Sequence, residues 1–291
     1  MLYRTLSSYL KEKYGGKISK ICIDGGFSCP NRDGTVGHGG CIYCGERGAG
    51  EHIDSLRSIE EQVQAQLDRG RADGYIAYFQ NFTNTYAPLD VLKERYDRAL
   101  IDARIVALAI GTRPDCITDE IAALIASYSK RVDVWVELGL QTASDVTAEI
   151  INRGYATEAY LSAARILTSH GIPFVTHMIL GLPGEGEAEI DATVNTINAS
   201  GSWGVKIHSI YVMEGTRLAE MYRSGEYVPP SKDEYVALAA RSLSRLKEDI
   251  VVHRITGDCP AGMLVAPEWN SDKNGVINAV REELAKLKNI K

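Results

Sequence analysis

The sequence predicts an α/β fold, a partial (β/α)6 barrel of the TIM type with a C-terminal helical and extended extension. Short β-rich runs alternate with helical patterns along most of the chain, as in repeated βα units around a parallel sheet. Each run is rich in Val, Ile and Leu with little polar alternation, which is typical of strands covered on both faces. Six such runs are fewer than the eight of a closed barrel. We therefore expect an open barrel whose chemistry lies on the loops after the carboxyl ends of the strands.

The predicted elements follow one another in a regular order. An amphipathic helix opens the chain within residues 1–16. The predicted strands span residues 18–24, 75–80, 105–111, 132–140, 172–180 and 205–211. The predicted helices between them span residues 58–69, 89–102, 118–128, 143–152 continuing into 157–170, and 187–200. Thr118 suits a helix N-cap because Asp119 and Glu120 follow it and interact favourably with the helix dipole.

Two regions are predicted from this order. Residues 1–224 should form the barrel, and residues 225–291 an extension that covers its open side. The extension is predicted to contain a helix at 231–247, an extended piece at 250–255 and a terminal helix at 274–288.

Composition indicates an ordinary globular protein, with 45% hydrophobic and 24% charged residues. The net charge of −6 argues against non-specific coating of nucleic acid, which needs a basic surface, but it allows a local basic patch. The N-terminus lacks the apolar run of a signal peptide, and no stretch reaches membrane-spanning length. We therefore expect a cytoplasmic protein without membrane contact. Candidates for the basic patch are Lys11, Lys13, Lys17, Lys20, Arg241, Arg245, Lys247, Arg254 and Lys273.

The loop after the first strand carries a glycine-rich cysteine motif with Cys29, Cys41 and Cys44. Three neighbouring thiolates are what a [4Fe–4S] cluster needs when one iron must stay open for a substrate. The alternative is a zinc site that uses Cys41 and Cys44 as a knuckle and Cys29 with Cys22 or His38 as partners. Within the first strand, Cys22 is expected to be a buried or barrel-lining thiol.

The same loop resembles the cluster loop of radical S-adenosylmethionine (SAM) enzymes, with an aromatic residue, Tyr43, before the last cysteine. Eleven residues separate Cys29 from Cys41. This long spacing resembles the cysteine spacing of the radical SAM branch that contains the elongator catalytic subunit and the YhcC/YtqA-like proteins. The segments CPNRDGT and YFQNFTNTYAP narrow the resemblance to the YhcC/YtqA-like group. Further segments that carry it are GTRPD, VELGLQT, NRG, HMILGLPGE, KIH, EGT and HRITGD.

The resemblance implies a [4Fe–4S] cluster held by Cys29, Cys41 and Cys44, and SAM bound to its fourth iron. Gln141 and Arg153 match positions that hold SAM in related enzymes. The remaining expected cofactor contacts are Gln80 after the second strand, Arg113 in GTRPD, Glu137 in the fourth strand and Gly181 after the fifth.

Some of these residues have simpler interpretations. Arg113 would alternatively form a salt bridge to Asp115 or Glu137. An ionised Glu137 within a strand needs a partner, so it indicates either a site or a paired arginine. Candidates for substrate or radical contact are His177, His208 and Cys259, although the histidines suit core positions equally well.

Three functions are compatible with these features. The first is a radical SAM enzyme that converts a carboxymethylaminomethyl group on a tRNA wobble uridine to aminomethyl, as the resemblance implies. It would need tRNA and an electron donor such as flavodoxin or ferredoxin. The second is a radical SAM enzyme that acts on a small molecule or a protein, and the third is a non-enzymatic zinc-binding module.

Overall fold

The computed structural model describes residues 2–48, 53 and 56–289. Its strands are Ile18–Ile23 (β1), Gly74–Phe79 (β2), Ile105–Thr112 (β3), Asp133–Gln141 (β4), Phe174–Leu180 (β5), Gly204–Ser209 (β6), Val212–Met213 (β7), Val251–Arg254 (β8) and Leu264–Ala266 (β9). Its α-helices are Leu6–Tyr14 (α1), Ile59–Arg69 (α2), Leu89–Ala99 (α3), Asp119–Ser127 (α4), Asp145–Ile150 (α5), Thr157–Ser169 (α6), Glu187–Ala199 (α7), Arg217–Arg223 (α8), Lys232–Arg245 (α9) and Lys273–Asn289 (α10).

The main sheet is an open, parallel partial barrel, which confirms the predicted fold class. Its strands lie in the order β1-β2-β3-β4-β5-β6-β8, so neighbours in sequence are neighbours in space. β7 and β9 form a separate antiparallel pair. Among the described residues, no helix is both long and apolar enough to cross a membrane.

The seventh parallel strand, β8, differs from the prediction of six strands. The extended piece at 250–255 contains β8, which pairs with β6 and places part of the predicted extension within the main sheet. Thr5, just before α1, bridges to Val252 on the outer edge of β8. A strand of four residues leaves only a weak pattern in the sequence. Its pairing with β6 depends on the path that the chain takes through α8 and α9.

Side chains alternate between the two faces of the sheet, and each face contributes to one of the three hydrophobic clusters of the described residues. On the outer face, Ile21 and Leu108 belong to a large cluster with helix residues such as Val63 and Leu167. On the inner face, Leu6 and Leu10 of α1 pack with Trp135, so α1 closes one end of the barrel. The lumen is therefore left open at the carboxyl ends of the strands.

Helix boundaries follow local capping. Thr118 accepts a hydrogen bond from the Ile121 amide at 3.3 Å and begins α4 as predicted. The predicted helix at 143–152 is shorter, because Asn152 adopts a left-handed conformation with φ of 51°. That break returns the chain to the strand ends before α6 begins.

Candidate active site

A cavity of about 490 Å³ opens at the carboxyl ends of the strands and reaches into the lumen. It brings together residues from the loop after β1 and from most strands of the sheet. Predicted residues that line it are Cys22, Cys29, Cys41, Cys44, Gln80, Arg113, Glu137, Gln141, His177 and His208. Arg153, Gly181 and Cys259 are not among the lining residues.

The cysteine loop forms the outer wall of this cavity with free thiols. The Asn31 side-chain amide donates to Cys41 Sγ at 3.9 Å. A hydrogen bond from Cys44 lowers the pKa of the Cys41 thiol to about 7, and burial opposes this shift. Gly40 has φ of +79°, and a Cβ there would lie 2.9 Å from Arg32 Nε. The loop therefore needs glycine at this position to bring its thiols to the cavity.

The cysteine loop is supported by the break after α5. Asn152 Nδ2 donates to the Gly40 carbonyl at 2.8 Å, and Asn31 Nδ2 donates to the Asn152 carbonyl at 2.6 Å. The Ile42 amide also donates to the Ile151 carbonyl at 3.1 Å. Sequence reasoning gave Asn31 and Asn152 no role, although both lie in segments, CPNRDGT and NRG, that carried the family resemblance.

The thiols fit a cluster better than a zinc ion. Within residues 2–48, 53 and 56–289, no three His, Cys, Asp or Glu side chains converge closely enough for a single metal ion. Zinc needs such convergence because all its ligands bind one ion. A [4Fe–4S] cluster places each thiolate on a different iron and so accepts wider separation. Three free thiols around one cavity are therefore a suitable donor set for the cluster.

Arg113, Gln141 and Tyr155 form a second wall. Arg113 makes two hydrogen bonds to Asp115, at 3.0 and 2.7 Å, which is one of the alternative interpretations from the sequence. The Tyr155 hydroxyl donates to Gln141 Oε1 at 3.0 Å, and its ring lies 4.6 Å from the Arg113 guanidinium. Gln141 has φ of 59° and lines the cavity. Nothing in the sequence distinguished Tyr155 from a core tyrosine.

Arg153 occupies a different place from the one expected. Its side chain is fully buried, and the guanidinium donates to the carbonyl oxygens of Leu140 at 2.5 Å, Thr142 at 2.6 Å and Tyr155 at 2.9 Å. It also pairs with Asp145 at 3.3 Å. Since these contacts engage its donors away from the cavity, its geometry favours holding the β4–α5 loop over binding SAM.

We expect Arg153→Lys to lower the free energy of unfolding by about 2–4 kcal/mol, because lysine leaves several buried carbonyls without donors. Chemical denaturation measures this loss. Arg165→Lys, on the exposed face of α6 where Arg165 pairs with Glu158, is the matched control and should have little effect. Unchanged stability combined with weakened SAM binding would instead support the role expected from the sequence.

Deeper in the cavity, Glu137 is fully buried among cationic groups. Its Oε2 accepts from His177 Nε2 at 2.9 Å and contacts Lys206 Nζ, and its Oε1 lies 3.5 Å from Lys20 Nζ. Burial alone would raise the pKa of Glu137, but the charges of Lys20 and Lys206 hold this pKa well below its ordinary value. The expected arginine partner is thus replaced by two lysines and a histidine.

The lumen histidines are neutral near neutral pH. Burial, and then the charge of Lys206, lowers the pKa of His177 to about 4. Burial also places the pKa of His208 well below its ordinary value, and its ring centroid lies 5.2 Å from that of His177. Period-two alternation along β6 places Lys206 and His208 on one face, which was a signal that could have identified Lys206.

Gly181 and Cys259 were also predicted site residues, and neither lines the cavity. Gly181 has φ of +89°, and a Cβ there would lie 2.8 Å from Ile210 and Pro230, so this glycine allows close packing. Cys259 is half-buried, and burial, followed by the neighbouring Asp258 charge, raises the pKa of its thiol to about 11.

The sequence matches the Radical SAM superfamily over residues 33–197 and the Radical SAM C-terminal domain over residues 202–286. The chain belongs to the radical SAM superfamily. It is therefore a radical SAM enzyme that uses a [4Fe–4S] cluster and SAM. The protein YtqA of Bacillus subtilis (strain 168) is 39% identical over 287 residues, covering 97% of this chain and 89% of YtqA. This match confirms the family membership predicted from the cysteine loop and the other shared segments.

Two further comparisons concern larger proteins. A tRNA uridine(34) acetyltransferase of Methanocaldococcus infernus is 30% identical over 190 residues, covering 61% of this radical SAM enzyme and 35% of that protein. The solved structure of the archaeal Methanocaldococcus infernus Elp3 with an N-terminal deletion has a TM-score of 0.70 and 19% identity, covering 90% of this chain and 63% of that one. The second likeness shows the shared fold.

Proposed function

We propose that this radical SAM enzyme modifies the side chain of a tRNA wobble uridine, removing the carboxymethyl part of a carboxymethylaminomethyl group. The observation that carries the proposal is the 30% identity over 190 residues to a protein named for its action on tRNA uridine 34. The large cavity at the strand ends supports it, because an anticodon loop presents unstacked bases that can enter a pocket.

In this proposal Cys29, Cys41 and Cys44 hold the cluster, and Gln80, Arg113 and Gln141 line the place for SAM. When bound, the cluster and SAM supply a 5′-deoxyadenosyl radical that abstracts a hydrogen atom. An electron donor such as flavodoxin or ferredoxin supplies the reducing electron. Arg153 holds the Gln141 segment from behind, and Tyr155 holds the Gln141 side chain at the cavity wall.

The proposed reaction is an oxidative dealkylation. One hydrogen atom leaves the carbon between the amine nitrogen and the carboxylate, and one electron then leaves to the redox partner, which gives a protonated imine. Hydrolysis of the imine leaves the aminomethyl group on uridine and releases glyoxylate. The chain's part is to bind the side chain in the lumen and to exclude water until the radical step is complete.

The ion pairs of the basic residues limit which of them can contact tRNA phosphates. Four of the nine cations proposed from the sequence are engaged elsewhere: Lys13 pairs with Asp133, Arg241 and Arg245 pair with Asp191, and Lys20 faces the lumen. Arg254 and Lys273 both pair with Asp258 at the cavity mouth, where two cations face one carboxylate. This pair of cations is therefore our candidate phosphate contact.

We expect Lys273→Ala to weaken tRNA binding and to reduce by about one the slope of log affinity against log salt, because one phosphate contact is lost. Filter binding across a salt series measures this. Lys130→Ala, at an exposed lysine that does not line the cavity, is the control and should leave the slope unchanged. An unchanged slope for Lys273→Ala would remove this residue from the interface.

The function itself is tested with reconstituted, reduced enzyme, SAM and tRNA from a strain that lacks the enzyme. Nucleosides are then analysed by mass spectrometry. We expect the carboxymethylaminomethyl nucleoside to fall and the aminomethyl nucleoside to rise in equal amounts. Formation of 5′-deoxyadenosine without any change in a wobble nucleoside would contradict the tRNA proposal and favour a small-molecule or protein substrate.

A further inference from the structure

The floor of the cavity holds two lysine amines beside a single carboxylate. Lys20 and Lys206 face the single carboxylate of Glu137, and both ammonium groups also lie over the Tyr78 ring, at 4.9 and 4.4 Å. Arg254, which pairs with Lys206 in the sheet register, also lines this cavity and forms an ion pair with Asp258. Two ammonium groups beside one carboxylate in such a site are costly unless a second anion compensates them or one amine loses its proton.

The same floor has buried polar atoms that lack partners within the described chain. They are His208 Nε2 and both ring nitrogens of His253. Buried polar groups in proteins nearly always have a hydrogen-bond partner, so water or a ligand in the cavity must bind these nitrogens. Each neutral ring can donate one hydrogen bond to an oxygen that enters the lumen.

A metal ion does not account for this cluster. The described residues contain no group of three His, Cys, Asp or Glu side chains close enough to bind one, and the two lysines would repel a cation. A purely structural network does not account for it either, because such a network would be internally paired. An anion that enters the cavity would match both the two lysine amines and the unpaired ring nitrogens.

We propose that Lys20, Lys206 and His208 bind a carboxylate of the substrate at the floor of the lumen. The carboxylate would accept from both ammonium groups and from His208 Nε2, while Glu137 keeps the two lysines apart and oriented. Burial, opposed by Glu137, lowers the pKa of Lys206 to about 7, and a bound anion would restore its charged form. The inference rests on the proposed function, since the carboxymethyl group is the part of that substrate with a carboxylate.

The first test compares two anticodon hairpins that differ only in one group. One carries 5-carboxymethylaminomethyluridine at the wobble position, and the other carries its carboxamide. With the anaerobic enzyme, its cluster and SAM, we expect the carboxylate hairpin to bind about tenfold or more tightly, as for a charge-assisted hydrogen-bonded pair. Lys206→Met and, separately, Lys20→Met should bring this ratio close to one. A merely structural lysine would weaken both hairpins equally, and that outcome would overturn the inference.

The second test does not depend on RNA. Cyanate carbamylates lysine amines, and its reaction at Lys206 is followed by mass spectrometry with N-methylglycine or N-methylglycinamide present. We expect N-methylglycine to slow the reaction severalfold and the amide to leave it unchanged, with exposed Lys130 unaffected by either. Equal rates with both fragments would overturn the carboxylate site. If neither hairpin binds while N-methylglycine protects Lys206, the tRNA proposal fails and the carboxylate site stands.

Discussion

Cys41→Ala is expected to lose most of the bound iron and to reduce SAM cleavage to background. Cys41 lies between the Asn31 amide and the Cys44 thiol at the cavity wall, and removing one thiolate exposes an edge of the cluster. Anaerobic iron and sulfide analysis, followed by quantification of 5′-deoxyadenosine, measures both effects. Cys29→Ala and Cys44→Ala should give the same result.

Cys116→Ala provides the matched control. Its thiol is half-buried beside Asp115 and does not line the cavity, so this variant should keep its iron. Full iron content and SAM cleavage in Cys41→Ala would show that the ligand assignment is wrong. Equal iron loss in Cys116→Ala would show that the assay reports general instability.

Glu137→Gln is expected to lower the free energy of unfolding by about 3–5 kcal/mol, because it leaves buried ammonium groups without their carboxylate. Glu137 is fully buried, and Lys206 beside it is 7% exposed as a side chain. Guanidinium denaturation of the anaerobic protein measures the loss. Glu220→Gln, which breaks an exposed pair with Arg217 at 2.7 Å, should cost less than about 1 kcal/mol.

A double variant measures the interaction between Glu137 and Lys206 apart from the contacts that each makes with other residues. The double variant Glu137→Gln/Lys206→Met should be less destabilised than the two single variants added together, because no charge of the pair is then left unpaired. Strict additivity would mean that Glu137 and Lys206 do not interact in the folded protein. A loss for Glu137→Gln no larger than that for Glu220→Gln would contradict the buried network altogether.

The comparison of sequence and structure is clearest for the arginines. Arg113 and Arg153 lie in motifs of the same family, and both were predicted from the sequence to contact SAM. In the structure, only Arg113 lines the cavity, whereas Arg153 donates to carbonyls behind Gln141. A motif identifies that a residue belongs to a site region. The direction of its side chain depends on the chain around it.

Local patterns determined the fold class, the positions of the first six strands and the cysteine loop. These features follow from neighbouring residues, since branched apolar runs favour strands and closely spaced cysteines in a glycine-rich loop favour a metal centre. The family segments then sufficed to identify the radical SAM superfamily. The structure confirms the fold class and the comparisons confirm the superfamily. The assignment of Cys29, Cys41 and Cys44 as cluster ligands stays a prediction.

Tertiary structure alone decided the seventh strand and the charged floor of the lumen. β8 needs β6 as a partner, and Lys20 meets Glu137 across 117 positions of the chain. Such contacts depend on the register of the sheet and on its curvature, which bring inward-facing side chains of distant strands together. From the sequence, Lys20 was assigned to a surface patch, because the residues next to a lysine in a strand do not reveal a distant ion-pair partner.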